Sequence, residues 1–467
     1  MRIMGLGLDL SGKPLFQPVE ADAFTQMLVS RLEQNARAAE AIAKSATYRG
    51  ELERQAIDPG DPKSAGWTFL VNANDPHRPA YEKALAPLAA QRGMPDPRSP
   101  LLYHAEAPEE WFDWLQDNYY GLVLEGKKPP GYILIAGSPE QVPFRFQSIL
   151  NTAAKVGRVD FETPEDLEQY VDKLLRIEAA SGPVVAREAI VFAPDAGLHD
   201  PTYYSREYMA LPMADHIRDD LGLVTHPILG EDATKPRLVE ALGAHKPALV
   251  YTASHGLGAM DQPPEFQRRY NGAICCQHAG TFTQEALFSA DDIPLDQPFL
   301  EGAVFFQFAC FGYGTPAESD YAHWIDGVPQ KYGEQDFVAA LPKRLLAHPR
   351  GPIVYVGHLD TAWLQGFADA SDPMILDRWH NRLSPFVSAV DELLGVQPGG
   401  LAMQEMRDRY SVCNATITNT YDRQRRGKLI WNHALEANFL DNWITRGDAQ
   451  NYMLFGDPAA RLRMPDA

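Results

Sequence analysis

Short apolar runs alternate with amphipathic stretches along most of the chain. "WTFLVNA" and "GYILIAG" are apolar runs that enclose stretches with helical spacing, and a more regular alternation begins near residue 150. The later apolar runs, each nearly continuous, are "EAIVFAPD", "ALVYTAS", "AVFFQFA" and "PIVYVGH". Such runs predict strands that are buried on both faces. Their alternation with helices predicts βαβ units around a parallel sheet.

The same pattern divides the chain into three parts. Residues 1–60 are predicted to be mainly helical, because residues 20–56 are rich in Ala, Leu, Glu and Arg. Residues 61–150 predict a small α/β domain, and residues 151–467 predict a larger one whose C-terminal part, about 384–447, is helical. The expected fold class is therefore α/β, with a mainly parallel central sheet flanked by helices and a smaller N-terminal α/β domain.

Composition matters mainly for the partners that it excludes. Hydrophobic residues make up 45% of the chain and charged residues 22%, as in ordinary folded proteins. The formal net charge of −20 should repel nucleic acid and anionic membranes. No apolar run approaches the ~18 residues that a membrane-spanning helix needs, and the first residues lack a signal-peptide pattern. We therefore expect a cytoplasmic protein without nucleic-acid or membrane partners.

Two apolar runs end in reactive side chains with glycine close behind. "LVYTAS" leads into His255 and Gly256, and "VFFQFA" leads into Cys310. Ligands of open α/β sheets bind beyond the carboxyl ends of the strands, so both side chains are expected at one edge. We predict Cys310 as the nucleophile and His255 as the general acid and base. The backbone N–H groups of Gly256 and Cys310 are the predicted oxyanion donors.

The other thiols are weaker candidates for chemistry. The four cysteines form no disulfide framework and no paired CxxC motifs. Cys275 and Cys276 lie in "YNGAICCQHAG", which indicates a loop or short strand, and Cys413 lies in a predicted helix. Because a lone cysteine is most often a small buried hydrophobe, the prediction rests on the pairing of Cys310 with His255.

Several motifs occur in the order of a known family. His255 precedes Cys310 by 55 residues, close to the spacing of about 50 in caspases. Across residues 130–467 the motifs are "YILIAGSPEQVPF", "VGRVDFETPEDLEQYVDKLLRIE", "ASHGLG", "FACFGYG", "GPIVYVGHLDTAW" and "YMLFGDPAARLR". By these motifs the chain resembles the gingipain-like cysteine peptidases of the caspase clan. The resemblance implies a caspase-like sandwich and a cysteine endopeptidase that forms a thioester acyl-enzyme.

The resemblance also implies further site residues. It maps a third catalytic acid onto Glu162, with Asp160 as the alternative, although Glu162 equally suits the cap of the following helix. It places Trp363 in the wall of the pocket for the residue before the scissile bond, where core packing is the other interpretation. Asp195 and Asp360 are candidates for an acid that selects Arg or Lys, or else ordinary turn residues.

The expected partners are a protein or peptide substrate and an activating or regulatory protein. Residues 311–335 predict a mobile loop beside the nucleophile, because the segment is long and weakly periodic. No cofactor or metal is expected, and "ADDIPLDQ" is either a calcium loop or a solvated one. Two alternatives stay open: a catalytically silent caspase-fold scaffold or interaction protein, and a hydrolase of non-peptide acyl groups.

Overall fold

The computed structural model describes most of the chain. The described residues are 2–3, 5–15, 19–20, 58–105, 107–124, 126–278, 280, 282–321, 331–368 and 379–465. The helix predicted over residues 20–56 and residues 322–330 of the predicted mobile loop lie outside them. Within the described ranges, no helix is both long enough and apolar enough to cross a membrane.

The strands include all of the apolar runs identified from the sequence. In chain order they are β1 (Arg2–Ile3), β2 (Gly7–Leu8), β3 (Val19–Glu20), β4 (Trp67–Asn72), β5 (Leu101–Tyr103), β6 (Tyr132–Ala136), β7 (Lys155–Val159), β8 (Glu188–Ala193), β9 (Val224–Leu229), β10 (Leu249–Ala253), β11 (Gly256–Leu257), β12 (Ile274–Cys275), β13 (Leu287–Phe288), β14 (Val304–Phe308), β15 (Gly314–Thr315), β16 (Phe337–Val338), β17 (Val354–His358) and β18 (Tyr452–Phe455). Ten of these strands form one central sheet.

Helices connect the strands and follow them at the C-terminal end of the chain. They are α1 (Pro62–Ala65), α2 (Arg78–Gln91), α3 (Trp111–Leu115), α4 (Gly121–Leu124), α5 (Phe144–Leu150), α6 (Pro164–Glu178), α7 (Pro201–Ser205), α8 (Leu211–Asp219), α9 (Lys235–Ala244), α10 (Pro264–Tyr270), α11 (Ala340–Ala347), α12 (Trp379–Leu394), α13 (Gly399–Ala402), α14 (Gln404–Arg425) and α15 (His433–Gln450). A π-helical turn joins α3 to α4, and another joins α7 to α8.

The central sheet consists of two parallel halves that run in opposite directions. Its strand order is β5-β4-β6-β7-β18-β17-β14-β10-β8-β9, and eight of the nine neighbouring pairs are parallel. The antiparallel pair, β17 with β18, joins the halves. The predicted mainly parallel sheet with flanking helices is thus confirmed. The reversal places the carboxyl ends of β10 and β14 at one edge of the sheet and the carboxyl end of β7 at the opposite edge.

The sheet continues across the domain boundary that we expected near residue 150. Strand β4 pairs with β5 on one side and with β6 on the other, and β6 pairs with β7. The C-terminal segment reaches back to this part of the chain, because buried Asp457 accepts hydrogen bonds from Trp67 Nε1 (2.9 Å) and Arg92 Nε (2.8 Å). The division of the chain into separate domains stays a prediction.

Strands β10 and β14 position the candidate site. Every residue of both strands is buried, as their nearly continuous apolar sequences predict. The strands pair in parallel, with Ala253 opposite Phe308. His255 and Cys310 each follow two residues after this pair. Their side chains therefore leave the sheet at the same edge.

Candidate active site

His255 and Cys310 come together where β10 and β14 end. The backbone N–H of Ser254 still donates to the Phe308 carbonyl (3.0 Å), so the two chains remain paired up to this point. Beyond it, Gly256 lies against the backbone of Cys310. A Cβ atom on Gly256 would overlap the Cys310 carbonyl oxygen and would lie 3.0 Å from its backbone nitrogen. Glycine is needed here because only a residue without a Cβ permits this approach.

The imidazole of His255 lies between two hydrogen-bond acceptors. Its Nε2 is 2.9 Å from Oδ1 and 3.0 Å from Oδ2 of Asp200, and its Nδ1 contacts the Leu6 carbonyl oxygen. Both neighbours are hydrogen-bond acceptors, and the imidazolium form of the ring has one N–H for each of them. Burial raises the pKa of Asp200, but the charge of His255 and hydrogen bonds from His255 and Thr202 outweigh it and lower the pKa to about 2.

Asp200 was not among the predicted site residues. It lies in the loop after β8, and β8 is the direct neighbour of β10 in the sheet. Asp200 also caps α7, since its Oδ1 accepts from the backbone N–H of Thr202 at 2.8 Å. The sequence signal was an Asp-Pro pair after a buried strand. A helix cap explains that pair fully, so the pattern did not indicate a role beside His255.

Glu162 and Asp160, the predicted third catalytic acids, lie at the opposite edge of the sheet from His255. Both carboxylates face Lys343, at 3.2 Å and 3.0 Å respectively, and 77% of the Glu162 side chain is exposed. The physical reason is the reversal in the sheet, since β7 delivers these residues to the edge opposite His255. The structure therefore does not bring Glu162 or Asp160 to His255. Asp200 takes the position that was predicted for them.

The thiol of Cys310 has no exposed surface. Its Sγ accepts a hydrogen bond from the Ala362 backbone N–H at 3.2 Å. Burial raises the pKa of the Cys310 thiol well above its ordinary value, whereas the backbone N–H groups of Ala362 and Leu6 lower it. In this arrangement the thiol is protonated. Burial also raises the pKa of each of the other three thiols, Cys275, Cys276 and Cys413.

Residues 5–15 form a hairpin, called here the N-terminal hairpin. Leu8 pairs with Pro14 in the antiparallel direction, and the Leu15 N–H donates to the Gly7 carbonyl at 2.9 Å. The turn is closed by Asp9, whose N–H donates to the Lys13 carbonyl at 2.9 Å. The first strand of this hairpin lies in the cleft between the His255 and Cys310 loops.

The contacts of that strand are mainly between backbones. The Leu6 N–H donates to the Ala362 carbonyl (3.1 Å), and Gly5 pairs with Trp363 in the antiparallel direction. The Gly256 N–H donates to the Leu6 carbonyl at 3.3 Å, and β2 pairs in parallel with β11. A Cβ atom on Gly7 would lie 3.5 Å from Cys310 Sγ. The Leu6–Gly7 peptide bond therefore lies next to both candidate catalytic groups.

Trp363 lies beside the cleft, and the two predicted selectivity acids already have partners. Trp363 is buried, with its ring centroid 5.1 Å from that of Tyr321, and its backbone pairs with the hairpin. Asp195 forms an ion pair with Arg206 at 3.1 Å. Asp360 is buried and accepts from four donors, which are Ser319 Oγ, Tyr332 OH and the backbone N–H groups of Asp320 and Thr361.

A cavity of about 440 Å³ lies beside His255, at the carboxyl end of β8. Its lining includes His255, Leu8 of the hairpin, Asp195 and Cys275. A ligand that binds beside the imidazole would therefore find space in this cavity.

A group of side chains that could ligate a metal ion lies away from His255 and Cys310. Among the described residues, Glu188, His226 and His245 form a group that could hold a metal ion. The Glu188 Oε2 atom is 3.4 Å from His226 Nε2 and 3.3 Å from His245 Nδ1. Glu188 begins β8 and His226 lies near the start of β9. This group is therefore at the amino ends of the strands, at the opposite edge from His255.

Comparisons with known proteins leave the family open. No family model matches the chain, and no curated protein matches it. A similar solved structure is described as "Structure of Protease", with a TM-score of 0.48 and 10% sequence identity over 85% of this chain and 78% of that chain. A likeness at this level does not indicate an activity.

Proposed function

We propose that the protein is a cysteine endopeptidase of the gingipain-like, caspase-clan kind, in which Cys310 and His255 hydrolyse peptide bonds. The observation that carries the proposal is the position of the Leu6–Gly7 peptide bond. Its carbonyl oxygen accepts hydrogen bonds from the Gly256 N–H and from His255, and Cys310 Sγ lies alongside. Donors to a carbonyl oxygen beside a thiol are what acyl transfer requires.

The first step forms the acyl-enzyme. Cys310 first releases its thiol proton to solvent. The thiolate Sγ then forms a bond to the carbonyl carbon of the substrate, and the carbonyl oxygen takes the negative charge. The N–H groups of Gly256 and Cys310 stabilise that oxygen. The carbon–nitrogen bond then breaks. His255 gives its Nδ1 proton to the leaving amine, which leaves a thioester on Cys310 and a neutral imidazole.

The second step is hydrolysis of the thioester. The neutral His255 takes a proton from a water molecule, and the hydroxide oxygen bonds to the acyl carbon. The carbon–sulfur bond breaks, Cys310 leaves as thiolate, and His255 is again positively charged. Asp200 acts as a positioning residue, because its carboxylate fixes the ring orientation and stabilises the imidazolium that the first step needs.

A peptide library digested with purified variants tests the proposal. We expect the wild-type chain to cut peptides, Cys310→Ala and His255→Ala to leave them intact, and Cys413→Ala, a buried thiol of α14, to cut as the wild type does. Mass spectrometry of the products gives the cut sites. Equal turnover by Cys310→Ala and wild type rules out Cys310 as the nucleophile.

A catalytically silent scaffold is the second candidate, and the burial of Cys310 favours it. A thiol without exposed surface and with a raised pKa is poorly reactive. If Cys310 resists iodoacetamide under every condition in which the chain is folded, the scaffold is the better description. Cleavage of activated esters without cleavage of any peptide instead indicates a hydrolase of non-peptide acyl groups.

A further inference from the structure

We propose that the N-terminal hairpin is a built-in occupant of the active-site cleft: it lies in the register of a peptide substrate, covers Cys310, and must be displaced before another peptide binds. The substrate register rests on the proposed function, because it is defined by the roles of Cys310 and His255. The occupancy itself rests on the contacts of Leu6 and Gly7.

The hairpin strand enters the cleft as an added β-strand. On one side of the Leu6 carbonyl, Gly5 and Leu6 pair with Trp363 and Ala362. On the other side, β2 pairs with β11 directly after His255. In strand addition the backbone hydrogen bonds supply affinity, whereas side-chain pockets supply specificity. An extended peptide from another protein would therefore use the same backbone groups, and it competes with the hairpin for them.

The register places Leu6 where the residue before the scissile bond belongs. The Leu6 carbonyl is the one that accepts from Gly256 and His255. The Leu6 side chain is fully buried and belongs to the main hydrophobic core. We infer that the pocket accepts an apolar side chain of leucine size rather than Arg or Lys.

The acids near the cleft agree with an apolar pocket. A basic side chain needs a carboxylate that is free to accept its hydrogen bonds. Asp360 accepts from four protein donors, and Asp195 forms an ion pair with Arg206. Binding of a basic residue by either acid would have to break these interactions.

Glycine at position 7 lets the hairpin cover the thiol. A Cβ atom at Gly7 would lie 2.6 Å from Leu15 Cδ1, inside the hairpin, and 3.5 Å from Cys310 Sγ. The Leu15 side chain can turn aside for a Cβ, and 3.5 Å from the sulfur is an ordinary contact. The two further carbons of valine, however, need room between the hairpin and Cys310, so we expect Gly7→Val to weaken the seating of the hairpin in the cleft. Because the hairpin is tethered, its local concentration is high, and a free peptide competes poorly until the hairpin is weakened.

Alkylation of the full-length chain with iodoacetamide measures the covering directly. We expect Gly7→Val to raise the rate at Cys310 about tenfold or more, because the uncovered state becomes populated. The matched control is Gly182→Val, since a Cβ at Gly182 meets no atom within 4 Å. Leu6→Ala, which removes the anchor without adding bulk, should also raise the rate. Unchanged rates at Cys310 in folded Gly7→Val and Leu6→Ala overturn the proposal.

A synthetic peptide of residues 2–10, RIMGLGLDL, tests the register. Added to Gly7→Val, it should slow alkylation of Cys310 and be cut between Leu6 and Gly7, while the Leu6→Arg version should protect less. If the peptide slows alkylation of Cys310 but is not cut, the result supports the hairpin proposal and counts against the proposed peptidase activity. Absence of protection overturns the hairpin proposal even if other peptides are cut, and stronger protection by the Leu6→Arg peptide overturns the apolar pocket.

Discussion

His255 Nε2 lies 2.9 Å from Asp200 Oδ1, although the two residues are 55 positions apart in the chain. The contact exists because β8 and β10 are neighbours, so the loop after β8 lies beside the residue that follows β10. The carboxylate holds the ring with Nδ1 directed at a peptide carbonyl. The orientation of the candidate general acid therefore depends on this pair.

Replacement of Asp200 by Asn should lower kcat/KM for peptide cleavage by about a hundredfold, because an unoriented imidazole loses most of the benefit of general acid catalysis. The matched control is Glu162→Gln, whose carboxylate contacts Lys343 at the opposite edge of the sheet. Steady-state kinetics of both variants checks this. A larger effect in Glu162→Gln would restore the role that the sequence assigned to it.

The same aspartate should contribute to acid stability. Its pKa is about 2 in the folded chain against 3.8 as the ordinary value. A carboxyl whose pKa is lowered by folding stabilises the folded state above the ordinary value, and that stabilisation is lost as the pH falls toward 2. We expect the free energy of unfolding of wild type to exceed that of Asp200→Asn by about 2 kcal/mol at pH 5, and by little at pH 2. Urea titrations across this range measure the difference. If the difference in free energy of unfolding does not shrink between pH 5 and pH 2, the result contradicts the ion pair of Asp200 with His255.

Gly256→Ala should damage the site by steric overlap. Its Cβ would collide with the Cys310 carbonyl oxygen, and overpacking of this kind costs about 3 kcal/mol. Gly243→Ala is the control, because Gly243 lies in helix α9 with open space at its Cβ position. That substitution should stabilise the chain by about 0.5 kcal/mol. Thermal unfolding of the two variants gives the comparison, and similar melting temperatures would argue against the close approach of the two loops.

The buried Asp457 should make Arg92 essential for stability. Arg92 pairs with Asp457 at 2.7 Å and with Glu178 at 2.5 Å, and neither Arg92 nor Asp457 is appreciably exposed. Arg92→Met leaves a buried carboxylate without its cation, which should cost about 3–5 kcal/mol. Arg218→Met removes exposed ion pairs instead and should cost less than about 1 kcal/mol. Chemical denaturation of each variant separates the two cases.

The sequence predicted the strands that carry the site because their signal is local. Strands β10 and β14 are short, nearly continuous apolar runs, and His255 and Cys310 directly follow them. Pairing of two such strands is a strong expectation for an α/β chain. This local signal was sufficient to predict that the thiol and the imidazole lie at one edge of a sheet.

Strand direction could not be predicted in the same way. Glu162 follows a largely buried strand, as His255 does, yet β18 inserts between β7 and β17 and reverses one half of the sheet. That reversal depends on pairing between strands some 300 residues apart, which no local pattern encodes. The hairpin was missed for the same reason. "GLGLDLSG" is rich in turn residues, but its partners, Ala362 and Gly256, are distant in the chain.

The most direct test of the central claim is to detect the acyl group on Cys310. Gly7→Val and the wild-type chain are mixed with a Leu-containing peptide ester, quenched in acid within the first turnover, digested and analysed by mass spectrometry. We expect a thioester on Cys310, more abundant in Gly7→Val, and none in Gly7→Val that also carries Cys310→Ala. Product release without any acylated Cys310, or at the same rate from the Cys310→Ala chain, would contradict nucleophilic attack by this thiol.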